Sequence, residues 1–80
     1  MRLDKYLKVS RIIKRRTVAN EACDAGRVVV NGKVARASLE IKEGDIIELT
    51  LGARPLKLKV TSVSEYATKE TASTMYIAVE

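Results

Sequence analysis

The chain has 80 residues, 46% of them hydrophobic and 31% charged, with one cysteine and no histidine. This excludes a largely disordered chain, an internal disulfide and a zinc site of the usual kind, and it leaves room for one small domain without a separate catalytic cleft. The net charge of +5 is polarised: residues 1–36 carry ten Lys/Arg and three Asp/Glu, a balance of +7, whereas residues 37–80 carry five and seven, a balance of −2, a split that points to a polyanionic partner on the N-terminal half.

Residues 2–13 are expected to form a helix, because Leu3, Tyr6 and Leu7 fall at i, i+3 and i+4 with Ile13 further along the same side. Lys5 and Lys8 project from the opposite face, and Asp4 is spaced either to pair with Lys8 or to orient a neighbouring cation. A basic turn, "RIIKRRT", leads into a second helix over about residues 16–25. Its stripe of small apolar residues, Val18, Ala19, Ala22, Cys23 and Ala25, would let the two helices approach closely. Gly26 is placed to stop it. Tyr6 is expected in the core with its hydroxyl at the edge, and Cys23 as a small core residue.

The period then changes. "RVVVNGKVA" reads as strand, turn and strand, since Asn31-Gly32 between strand formers accepts the positive φ of a tight hairpin. "KEGD" at 42–45 is a further turn. "IIELTL" and "LKLKV" alternate as strands, with Leu56, Leu58 and Val60 inward and Lys57 and Lys59 outward; "GARP" joins them. Residues 64–74 read as a polar loop, and "MYIAV" as the last strand. The expected fold class is α+β: a two-helix and β-hairpin motif followed by a small, mostly antiparallel sheet. The apolar runs are too short for a signal peptide or a membrane span, so a cytoplasmic protein without membrane contact is expected.

Between Asp4 and Glu21 there are six cations and no acid. Arg grips phosphate with a planar fork and Lys as a point charge, and each neutralised phosphate releases counterions. The free N–H groups at the start of the second helix would point at the same place. A structured RNA fits better than a DNA sequence site. There is no long recognition helix, and the aromatic residues are only Tyr6, Tyr66 and Tyr76, whereas A-form RNA is read largely by backbone and shape.

"RLDKYL", the basic turn, "ANEACDAGRVVVNGKVA" and "IKEGDIIEL" together resemble the S4-type RNA-binding domain over roughly residues 1–50. Arg2-Leu3-Asp4-Lys5 and Gly26 through Gly32 are the most diagnostic parts. Residues 51–80 resemble the short β extension of stand-alone members, among them heat-shock and ribosome quality-control proteins, giving a single domain over 1–80. The family often has Ser or Thr where this chain has Arg15, so either Arg16 opens the second helix uncapped or Thr17 moves its start.

The charge pattern and the resemblance together give an RNA-binding set of Arg2, Lys5, Lys8, Arg11, Lys14, Arg15 and Arg16, with Arg27 and Lys33 beside the hairpin and Asp4 as an orienting residue. Arg36 could extend that surface. The resemblance implies a monomeric, non-enzymatic factor without metal or cofactor. Its partners would be large-subunit ribosomal RNA, peptidyl-tRNA and an RqcH-type tailing factor that adds alanine to stalled chains without a template. The runner-up is a heat-shock-type rescue factor that binds the same subunit without a tailing partner. A third reading, the substrate-positioning domain of an RNA-modifying enzyme, needs a catalytic domain that these residues do not contain.

Overall fold

The structure is a computed structural model and describes residues 1–51, 54–64 and 68–79. In chain order its elements are α1 (Leu3–Val9), α2 (Arg16–Asp24), β1 (Val28–Val30), β2 (Lys33–Val34), β3 (Ile46–Leu51), β4 (Arg54–Val60), α3 (Lys69–Ala72) and β5 (Tyr76–Ala78). The strands form one antiparallel sheet in the order β2-β1-β3-β4-β5. The two long helices pack on each other and share one buried core with the strands. The fold is the α+β arrangement expected.

Leu3, Tyr6 and Leu7 of α1 are fully buried and meet Ala19, Ala22 and Cys23 of α2 in one cluster with Val28, Val30, Ile47, Leu49, Leu58, Val60 and Met75 from the β half. Burying a large apolar side chain contributes about 1.5–3 kcal/mol, so the three strands that line this cluster, β1, β3 and β4, together with Met75, hold the helix pair in place. Val18 and Ala25, expected on the α2 stripe, are exposed. The apolar face of α2 is therefore narrower than its composition suggests.

The first helix is shorter than the expected 2–13. It stops because Arg11 adopts the left-handed conformation, φ 63°. The Arg11 and Ile13 N–H groups then bond back to the Lys8 and Leu7 carbonyls, at 3.0 Å each. Ile13 is buried as expected, but from the turn and not from the helix.

At the other helix the stop is the expected glycine. Gly26 has φ 74°, and the Gly26 and Arg27 N–H groups donate to the Cys23 and Ala22 carbonyls, the double closure that a left-handed residue allows.

The Asn31-Gly32 turn joins β1 to β2 with φ of 52° and 84°. Asn31 also braces the 42–45 turn. Its side-chain amide donates to Asp45, its side-chain oxygen accepts from the Ile46 N–H, and Asp45 in turn accepts from the Lys42 N–H. In β4, Leu58 and Val60 point inward as expected, but Leu56 is 40% exposed. The reason is topological: β5 pairs only with Leu58–Val60, so no neighbouring strand covers Leu56 on that side. "GARP" falls partly outside the described residues.

Residues 64–74 are not simply a loop. Thr68 and Thr71 cap α3 reciprocally, each side-chain oxygen accepting from the other's backbone N–H. The helix buries Ala72. The next residue of the core, Met75, reaches back to the first helix. Its carbonyl accepts the Tyr6 hydroxyl at 2.7 Å, together with the Thr61 and Ser62 N–H groups. The Tyr6 hydroxyl is thus buried and not at the edge, and burial pushes its pKa far above the ordinary tyrosine value. Among the described residues no helix is long and apolar enough to cross a membrane.

Candidate nucleic-acid interface

The N-terminal residues are fastened to the segment after the hairpin. Leu3 N–H donates to Leu39 O at 2.8 Å, Asp4 N–H to Ala37 O at 3.2 Å, and Ile41 N–H to Met1 O at 2.8 Å. This places Arg2 immediately before α1 in extended backbone. Across the helix pair, Arg16 opens α2 and Arg15 precedes it without a side-chain cap. Of the two starts left open by the sequence, the uncapped one is observed. Its N-cap residue offers the first-turn N–H groups no side-chain acceptor.

Asp4 lies between these arginines. Its side chain is 2% exposed, and its two oxygens hold Arg2 Nε at 3.3 Å and Arg16 Nε at 3.2 Å. The Lys5 N–H donates to Oδ1 at 2.8 Å and Asn20 Nδ2 to Oδ2 at 3.5 Å. Burial alone would raise the carboxyl pKa. The Arg16 and Lys5 hydrogen bonds and the charges of Arg16 and Arg2 outweigh it, so the group sits below its ordinary value and is ionised.

The consequence is orientation. Each guanidinium uses Nε on the buried acid, while about half of each side chain stays exposed, 50% for Arg2 and 46% for Arg16. The fork nitrogens are left for another acceptor. Arginines held this way lose less freedom on gripping a phosphate than free ones. A shallow depression of 520 Å³ is lined by Arg2, Asp4, Arg16, Thr17, Asn20 and Glu21.

Of the other expected residues, Lys8, Arg11, Lys14 and Arg15 are exposed on α1 and the connection to α2, next to this cluster in the chain. Lys5 is half-buried. Arg27 and Lys33 are exposed, but Arg27 lies beyond the far end of α2, about 13 Å along a nine-residue helix. Lys33 lies further still, in the hairpin. The Asp4–Lys8 pairing does not form; Asp4 instead orients two arginines. Asn20 was missed by the sequence reading. The available signal was its spacing, four residues after Arg16 and so on the same helix face.

Cys23 is buried, and burial lifts its thiol to about 11, with Asp4 and Asp24 adding to the effect. It is not poised as a nucleophile.

A short helix pair bearing fixed arginines, backed by a hairpin and a small sheet, defines an RNA-binding module of the helix-pair-and-hairpin type. The chain belongs to the S4 domain family, whose profile matches residues 1–47. It is 53% identical over 76 residues to the RQC P-site tRNA stabilizing factor of Halalkalibacterium halodurans, covering 95% of this chain and 86% of that one. The protein of the same name from Bacillus subtilis is 46% identical over 76 residues, with 95% and 88% covered. Among solved structures it is similar to Heat Shock Protein 15 of Vibrio cholerae, 28% identical with a TM-score of 0.92, covering 99% of this chain and 81% of that chain.

Proposed function

We propose that this chain is a non-enzymatic, monomeric RNA-binding factor of cytoplasmic ribosome quality control. It grips ribosomal RNA of a split large subunit and the peptidyl-tRNA left on it, keeping that tRNA in register. An RqcH-type tailing factor then extends the stalled chain with alanine. Arg2 and Arg16 carry the grip, and Asp4 aims them. Lys5, Lys8, Arg11, Lys14 and Arg15 add phosphate contacts, and Arg27 and Lys33 extend them toward the hairpin. Peptide-bond chemistry stays with the ribosome.

The observation that carries this reading is the Arg2–Asp4–Arg16 arrangement, in which one buried acid holds the arginine just before α1 and the arginine that opens α2. Its setting on the ribosome is supported by relatives about half identical over nearly the whole chain and named for stabilising P-site tRNA. A heat-shock-type rescue factor that needs no tailing partner is the second reading, favoured by the fold match to Heat Shock Protein 15.

The test is reconstitution with split large subunits, either empty or carrying peptidyl-tRNA. The protein should bind the loaded subunits more tightly and should increase alanine addition when the tailing factor is present. Equal binding to both subunits with no effect on tailing would overturn the reading. Tight binding to loaded subunits with no effect on tailing would favour the rescue factor.

A further inference from the structure

Arg36 has no role in the site just described. It is exposed, lies between the buried Ala35 and Ala37, and has no ion-pair partner among the described residues. A second furrow, of 470 Å³, runs from Arg2 and Asn20 past Asp24 to Arg36. Arg2 and Asn20 also line the depression over Asp4. The two openings therefore adjoin at Arg2 and Asn20 as a track, with Arg16 and Glu21 lining one opening, Arg36 the other and Arg2 both.

The backbone makes this track rigid. Ala35 N–H is bonded to Val28 O, Leu39 N–H to Arg36 O, Asp4 N–H to Ala37 O and Leu3 N–H to Leu39 O. The residues that carry Arg2 and Asp4 are thus fastened to the segment that carries Arg36. The backbone of Arg36 is thus held relative to that of Arg2 before any ligand arrives.

We propose that Arg36 is a third RNA-contacting cation, resting on the RNA-binding reading above. It takes a phosphate on the same strand that Arg2 holds, so the strand runs along the furrow between α2 and the segment after the hairpin. Its planar fork suits phosphate. Asp24 is exposed in the same furrow and repels the strand, so the path keeps to the Arg2–Arg36 wall.

The test uses large ribosomal subunits carrying peptidyl-tRNA and compares variants matched in charge change. Arg36→Ala should weaken binding about fivefold or more and lower the salt dependence by about one phosphate contact. Lys59→Ala, on the outer face of the sheet, should change it less than about twofold, since only net charge is altered. Asp24→Asn should tighten binding more than Glu43→Gln does.

Melting curves of Arg36→Ala and Arg36→Gln should match the parent, because the side chain is exposed. If Arg36→Ala behaves like Lys59→Ala, the proposal is overturned. It is also overturned if affinity falls with the salt dependence unchanged, because the contact would then be with protein. Arg16→Ala separates the two levels of inference. If it weakens binding while Arg36→Ala does not, only the role of Arg36 fails. If neither matters, the RNA-binding reading fails with it.

Discussion

Arg16 donates its Nε–H to Asp4 Oδ2 at 3.2 Å, from the first residue of α2 to the second residue of α1. The acid is buried and the arginine is half exposed, so one side chain belongs to the fold and the other to the surface. Removing either should therefore be felt in both stability and binding, but in different proportions.

For Arg16→Ala, Asp4 keeps Arg2, Asn20 and the Lys5 N–H. The loss of stability should be modest, about 1 kcal/mol, because the lost ion pair is half solvated. The loss of large-subunit binding should be greater, about 1–3 kcal/mol. Melting and subunit co-sedimentation measure the two. A large fall in melting temperature with full binding per folded molecule would make Arg16 a structural residue only.

Acid should undo the same arrangement. The Asp4 pKa is lower in the folded protein than its ordinary value of 3.8. The ionised group therefore contributes stability above that value, and the contribution is lost as pH falls through the lowered pKa. Asp4→Asn should be less stable than the parent at neutral pH and should flatten this part of the acid limb. It should also bind large subunits more weakly at neutral pH, since both guanidinium groups lose their anchor. An unchanged acid limb in Asp4→Asn would refute the assignment.

Much of this was legible in the chain. The i, i+3, i+4 pattern of Leu3, Tyr6 and Leu7, the Asn31-Gly32 turn and the alternation through Ile47 and Leu49 are local signals, and each element formed where its signal lay. What was not legible depends on tertiary contacts or on residues outside the usual signals. Nothing in "SRI" marks a left-handed stop, because Arg11 replaces the expected glycine or asparagine. Thr68 and Thr71 form a capping box with Thr where Glu or Gln is usual, so α3 read as loop. The acid partner of Arg16 lies twelve residues away on another helix, beyond any spacing rule for a single helix. Leu56 follows the strand alternation faithfully, yet among the described residues it lies beyond the β5 ladder and is 40% exposed.

The strained position makes a further prediction. A non-glycine residue in the left-handed region costs about 1–2 kcal/mol, and Arg11 is in that region at φ 63°. Arg11→Gly should raise or preserve stability, less about 1 kcal/mol of unfolded-state entropy. It should also weaken subunit binding and its salt dependence. Denaturant melts and binding at two salt concentrations would show the opposite signs. Improved stability with undiminished binding would remove Arg11 from the interface.

Charge reversal tests which side faces RNA. Lys14→Glu and Lys59→Glu change net charge equally, and both residues are exposed. Binding and alanine tailing should fall strongly for Lys14→Glu, on the proposed RNA-facing side, and little for Lys59→Glu. Equal losses would mean that only net charge matters, and a larger loss at Lys59 would place RNA on the outer face of the sheet.

The Met75 carbonyl, reached by the Tyr6 hydroxyl and two backbone donors, bears on how such a module can be reused. The family profile ends at residue 47, yet the hydroxyl at the centre of its first helix is satisfied by residue 75. A fragment cut at the profile's edge would lose that acceptor and bare the apolar surfaces that Leu58, Val60 and Met75 cover. The shared motif is therefore an open half-shell. In this chain the lid is the β extension that follows residue 47, and the Asp4-held arginines take their contacts from α1, α2 and the residues around them rather than from that lid.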